Sequence, residues 1–229
     1  MQVGSTRRPA SDGRRLVCVS ALGDEHRLTL IDARTGAVEY LPREDDIGGY
    51  GAPKFSPDGD PLLYAYAKPV GSPAALKVLD LRTRASMWLT KRGYWVMWPD
   101  WSPDGTQIVL VKKDPRKLYH DLHIMPAGGG EPRNLTFWLE HDDEPAWSPD
   151  GTEIAFIRSH KDKGQRLVVY EMTTGAVRDL TEPTFEALHP SWSPDGQHIV
   201  FAGATVEDVD RGRDTVNVYS IRRDGTDMR

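Results

Sequence analysis

The dipeptide Asp-Gly stands at Asp12-Gly13, Asp58-Gly59, Asp104-Gly105, Asp150-Gly151 and Asp195-Gly196, so one piece of punctuation returns after 46, 46, 46 and 45 residues. A fixed period of this length marks an array of supersecondary units. None of them buries its apolar face alone, so the fold must come from stacking copies. The period leaves no room for a linker. It predicts a single domain, residues 1–229, built from repeats at approximately 1–41, 42–90, 91–136, 137–181 and 182–229.

Four of the five dipeptides share a context: Pro53-Lys54-Phe55-Ser56-Pro57-Asp58-Gly59, Pro99-Asp100-Trp101-Ser102-Pro103-Asp104-Gly105, Pro145-Ala146-Trp147-Ser148-Pro149-Asp150-Gly151 and Pro190-Ser191-Trp192-Ser193-Pro194-Asp195-Gly196. Proline pre-sets φ, Asp bonds its own backbone and Gly accepts a positive φ, so Ser-Pro-Asp-Gly is a tight reversal between two strands. Three residues after each Gly an apolar run begins, as in Ile108-Val109-Leu110-Val111 and Ile154-Ala155-Phe156-Ile157. These read as strands buried on both faces. A third, more alternating run follows, such as Leu76-Lys77-Val78-Leu79, then a turn and a short polar strand around Leu41, Leu135 and Leu180.

Each unit is therefore a four-stranded antiparallel meander. The expected fold class is an all-β β-propeller with five sequence repeats. The recurring aromatics Phe55, Trp101, Trp147 and Trp192 are assigned to packing between blades, where each buries on the order of 200 Å².

The PxWSPDG segment, the Ile-Ala-Phe-like strand after it and the closing Leu-Thr resemble the TolB-like (WD40-like) β-propeller repeat, over essentially the whole chain. Similar proteins include the periplasmic TolB component of cell-envelope complexes, propellers attached to prolyl-oligopeptidase-like peptidases, and oligogalacturonate lyases. The resemblance implies a fold more than an activity. TolB-like rings commonly have six blades, so a closed five-blade ring and a fragment of a six-blade ring both stand open. The outer strand of the fifth blade is missing or is supplied by the N-terminal residues 1–6, a closure that would remove exposed edges.

Net charge is −5, which argues against nucleic acid as the partner, since phosphate binding needs a dominating basic surface. The one cysteine, Cys18, sits in strand register and reads as a core residue. No apolar run reaches the roughly 18 residues of a membrane span. Residues 14–22 imitate a short signal core but hold a second-strand position. The location is cytoplasmic as the chain stands, or periplasmic if a leader was removed.

Function is sought in the longer loops at one end of the blades. Blade-connecting segments carry Glu44, Asp45, Asp46, Glu140, His141, Asp142, Asp143 and Glu144, with Asp100 at the start of blade three. Loops between second and third strands carry Lys112, Lys113, Arg116, Lys117, Arg158, His160, Lys161, Lys163 and Arg166. This predicts an acidic mouth with a basic rim, against the plainer alternative of ordinary solvated loop charge.

Aromatics Tyr94, Trp95 and Trp98, near Tyr50 and Trp138, suit a peptide or sugar, or else pack their own loops. The candidate binding residues are Tyr94, Trp95, Trp98, Asp100, His141, Asp142, Asp143, Glu144 and His189. No cofactor is expected. A Ca²⁺ ion at the carboxylates, or a transition metal held by His141, Glu144 and His189, is the variant reading. His120 and His123, three apart, point to opposite faces and cannot chelate together.

The leading reading is a non-catalytic scaffold for a protein or peptide partner. One alternative is a metal-assisted, lyase-like enzyme acting on a small or saccharide substrate. Another is a regulatory fragment of a larger protein, able to self-associate through the open edge of blade five. The chain contains no GxSxG nucleophile elbow, P-loop or paired CxxC.

Overall fold

In a computed structural model, the described residues are 8–9, 13–22, 25–42, 49–68, 72–93, 95–114, 117–160, 164–183, 185–205 and 216–229. They form five antiparallel sheets and no α-helix, with one sheet to each sequence repeat. The blades of a β-propeller are thus present in the order the repeats dictate. The first holds β1 (Arg8–Pro9), β2 (Arg15–Leu22), β3 (Glu25–Asp32) and β4 (Val38–Tyr40). The second holds β5 (Gly49–Phe55), β6 (Pro61–Ala67), β7 (Ala75–Asp80) and β8 (Ser86–Trp88). The third holds β9 (Trp95–Trp101), β10 (Gln107–Lys113), β11 (His120–Pro126) and β12 (Arg133–Asn134). The fourth holds β13 (His141–Trp147), β14 (Glu153–His160), β15 (Gly164–Glu171) and β16 (Val177–Asp179). The fifth has three strands, β17 (Phe185–Trp192), β18 (His198–Thr205) and β19 (Asn217–Arg222).

The Ser-Pro-Asp-Gly reversals form as their residues require. The Gly amide donates to the Ser carbonyl at 2.8 Å in Gly59–Ser56, 2.9 Å in Gly105–Ser102, 3.0 Å in Gly151–Ser148 and 2.9 Å in Gly196–Ser193. Each of these glycines has φ between +67° and +80°, a region closed to most side chains. The Ser hydroxyl donates to the Asp carboxylate, at 2.6 Å in Ser102–Asp104 and Ser193–Asp195. That bond is the main reason the carboxyls of Asp58, Asp104 and Asp195 titrate below their ordinary value.

The closing Leu-Thr is a second fixed device. The hydroxyls of Thr90, Thr136 and Thr181 accept the amides of Leu76, Leu122 and Leu167 at 2.9, 3.0 and 3.0 Å. An outer strand of two or three residues is thereby extended by one side-chain bond. In the fifth blade Ser220 and Arg229 exchange backbone hydrogen bonds of 3.0 and 2.9 Å, which begins a pairing on the outer side of β19. Residues 1–6, expected as one source of that blade's outer strand, lie outside the described residues. Arg8 and Pro9 pair with Val17 and Leu16 inside the first blade.

The chain separates into two compact units: residues 1–114 with 124–133, and residues 115–123 with 134–229. In the first unit Val17, Leu30, Leu41, Phe55, Leu62 and Tyr64 pack blade one on blade two, while Leu63, Leu76, Leu89, Val96, Ile108 and Leu110 pack blade two on blade three. In the second, Ile157, Leu167, Val169, Phe185, Ile199 and Phe201 form the core of blades four and five. Trp192 adds an indole bond of 3.1 Å to the Ala146 carbonyl of the preceding blade, the packing role expected of the recurring aromatics. No helix among the described residues is long and apolar enough to cross a membrane.

Candidate functional site

The inner strands of blades two to five share a feature the sequence pattern hides. Their pairing register shifts between Gly51 and Lys54, opposite Val109–Val111, between Asp143 and Ala146, and between Leu188 and Ser191. At each bulge the residue before the recurring proline of the repeat has a left-handed backbone: Ala52 at φ +46°, Trp98 at +44°, Glu144 at +54° and His189 at +53°. Residues before proline favour extended backbone, and non-glycine residues avoid this region, so the bulge holds these four against their local preference. Such positions re-aim a side chain and concentrate at functional sites.

In the first unit, the bulge residues Ala52 and Trp98 line a cavity of about 340 Å³ together with Tyr50, Gly51, Ala65, Trp95 and Met97. Gly49, Gly51, Ala52, Ala65, Ala67 and Ala74 leave the room, and the aromatic rings form the walls. Trp95 is 37% exposed. Tyr50 is fixed edge-on against Tyr66, with ring centres 5.1 Å apart. The Asp100 carboxylate accepts from Lys54 Nζ at 2.8 Å, so it serves blade-to-blade bonding. Tyr94 lies outside the described residues, as do Glu44, Asp45, Asp46, Arg116, Lys161 and Lys163.

In the second unit, the predicted acidic loop is instead strand β13, with His141 opposite Ser159, Asp142 opposite Arg158 and Asp143 opposite Ile157. Asp142 is fully buried and is held by Arg158 through Nε at 2.7 Å and Nη2 at 2.9 Å. Burial pushes the Asp142 carboxyl above its ordinary pKa against the pull of Arg158. Glu140 is gripped by Arg166 Nη2 at 2.9 and 3.1 Å, and Arg166 also donates to Asp179 at 2.9 Å. Burial works against the charge on Arg166, but Glu140 and Asp179 prevail and raise its pKa. Here Glu140 and Asp142 of the expected acidic mouth and Arg158 and Arg166 of the expected basic rim form buried pairs that bind strand to strand. Arg158 also lies 5.1 Å over the Trp138 ring.

Alternation along β13 places Asp142 toward the interior and His141 and Asp143 together on the other side. His120, at the start of β11, joins them. Its Nδ1 is 3.1 Å from Asp143 Oδ1, its ring centre is 4.5 Å from that of His141, and its amide approaches His141 Nδ1 at 3.4 Å. The histidines expected to group with Glu144 therefore divide. His141 goes with His120, while His189 donates its amide to Glu144 Oε2 at 2.5 Å and sets Nδ1 3.0 Å from the same oxygen. His123, turned away from His120, faces the Asp121 carbonyl at 3.1 Å. Sequence reasoning missed His120 as a partner for His141. A second histidine at the first position of the preceding blade's third strand was the available signal.

The fold is shared with solved structures that differ widely in activity. TolB from Acinetobacter baumannii superimposes with a TM-score of 0.80 at 23% identity, covering 96% of this chain and 52% of that one. An oligogalacturonate lyase from Vibrio parahaemolyticus matches with a TM-score of 0.71 at 15% identity over 99% of this chain and 65% of that one. A puromycin-hydrolyzing peptidase of Mycobacterium tuberculosis matches with a TM-score of 0.73 at 16% identity, over 97% and 37%. The chain thus spans about half the length of the TolB structure. The family model of the TolB β-propeller domain matches residues 5–223. With that match covering nearly the whole sequence, the chain belongs to the TolB β-propeller domain family.

Proposed function

We propose that the chain is a non-catalytic scaffold that binds a protein or peptide partner, taking an apolar side chain of an extended segment into the groove lined by Tyr50, Trp95 and Trp98. The observation that carries this reading is the cavity of about 340 Å³ built on the Ala52 and Trp98 bulges. Its volume suits one or two side chains and falls at the small end of ligand sites, roughly 300–1,000 Å³. Rigid aromatic walls with an exposed tryptophan are the chemistry of an interface hot spot. A net charge of −5 favours a protein over a nucleic acid as the partner.

Peptides selected for binding to the full chain test this reading. Trp95→Ala is expected to weaken them by about tenfold or more, the loss of a hot-spot aromatic. Gly51→Leu fills the groove from within. A Cβ at Gly51 meets only Ala65 Cβ at 3.9 Å, so the backbone accepts it, and the variant should fold but not bind. Peptides that bind both variants as they bind the wild type would overturn the assignment. A metal-assisted enzyme acting on a small or saccharide substrate is the second reading, and the observation that favours it is the group formed by His120, His141 and Asp143.

A further inference from the structure

We infer that His120, His141 and Asp143 bind one divalent transition-metal ion of the Zn²⁺ class. Among the described residues they form a group of three side chains whose ligand atoms all lie within 4.8 Å of one another. The closest pair is already at ligand spacing. His120 Nδ1 and Asp143 Oδ1 are 3.1 Å apart, and two donors about 2.0–2.1 Å from a tetrahedral ion stand about 3.3 Å from each other. The His141 ring, 65° to that of His120 and with its centre 4.5 Å away, supplies the third donor.

The scaffold beneath the group is stiff. His141 and Asp143 are two apart on β13 and share one face, and the residue between them, Asp142, is pinned inside by two bonds to Arg158. The ligands therefore sit on a strand that is anchored from behind, while His120 comes from the neighbouring blade at the start of β11.

Donor type selects the ion. Two imidazole nitrogens and one carboxylate oxygen suit Zn²⁺, Co²⁺ or Ni²⁺, whereas Ca²⁺ wants six to eight oxygens. Three protein ligands leave at least one position for water or an incoming donor, the arrangement of an exchangeable rather than a closed structural site. The site lies in the second unit and does not depend on the aromatic groove of the first.

Co²⁺ titration of the full chain, followed by visible absorption and by competition with Zn²⁺ in a calorimeter, tests the inference. One Co²⁺ per chain with the spectrum of imidazole ligation is expected, displaced by Zn²⁺. His120→Ala, His141→Ala and Asp143→Asn should each weaken the affinity at least about tenfold, while His160→Ala and His189→Ala leave it unchanged. Because Asp143→Asn keeps the shape of the side chain, a lost affinity with an unaltered melting curve separates ligation from misfolding. If an alanine variant does not fold, the isosterically milder His120→Asn is read in the same way. The absence of a saturable Co²⁺ signal in the wild type would overturn the site, as would equal affinity in the ligand variants.

Discussion

In the first unit the residues before proline are Ala52 and Trp98, which open a groove walled by rings. In the second they are Glu144 and His189, which close on each other through a carboxylate. The backbone is the same at all four, a bulge with φ between +44° and +54°. The difference lies wholly in the side chain. Repetition fixes where a side chain will be presented and leaves its chemistry free, so an apolar receptor and a set of polar groups can be written on one scaffold. The same division runs one strand deeper. Asp142 and Arg158 fill in the second unit a place that the repeat reserves for strand pairing, and they do so with charge.

Removing one partner of the buried pair should break the second region most severely. Asp142→Ala leaves the Arg158 guanidinium buried without its two bonds and is expected to cost about 3–5 kcal/mol in urea unfolding. The double variant Asp142→Ala/Arg158→Met should recover much of that loss. A cost below about 1 kcal/mol for the single change would mean that the pair is open to water. Weaker by far is the bulge pair. His189 is 58% exposed on its side chain, and exposed pairs contribute about 1 kcal/mol or less. Glu144→Ala should therefore lower stability by about 1 kcal/mol and leave peptide binding at the groove unaltered. A loss above about 3 kcal/mol would show that the fifth blade's bulge depends on this carboxylate.

The smallest effect is expected in the first unit and has the opposite sign. Ala52→Gly relieves a left-handed backbone worth about 1–2 kcal/mol and gives back about 0.5–1 kcal/mol through the freer unfolded chain. A net gain of about 0.5 kcal/mol should appear in thermal melts. A loss of more than about 1 kcal/mol would show that the bulge holds Ala52 without strain.

The blades and turns were legible because Ser-Pro-Asp-Gly acts locally: Pro, Asp and Gly each impose their conformation without help from the rest of the chain. The inner strand of blade four was not. His141, Asp142, Asp143 and Glu144 show no apolar alternation, so the run reads as a loop. It becomes a strand because Arg158 stands opposite Asp142 and supplies the complement across the sheet. The bulges were hidden for a related reason. The preference of a residue before proline points to extended backbone, and only the register of the partner strand overrules it. Trp95, Trp98 and Asp100 stand out by residue type alone, but the service of Asp100 to Lys54 and the place of His120 beside His141 depend on which strands become neighbours.

In blades two to four, the threonine that ties the outer strand to the third strand also acts as the zero mark of a ruler. Thr90 and Pro99, Thr136 and Pro145, and Thr181 and Pro190 are each nine residues apart, although the full period shortens from 46 to 45 at the last repeat. Variation in length is thus absorbed elsewhere in the blade. From each of these three hydroxyls to the proline that locks the next blade, the chain is measured out in the same nine steps. Before blade two the interval is longer, twelve positions from Leu41 to Pro53 against ten from Leu89 to Pro99, yet Ala52 takes the same left-handed backbone, so the bulge and not the count delivers the side chain just before the proline.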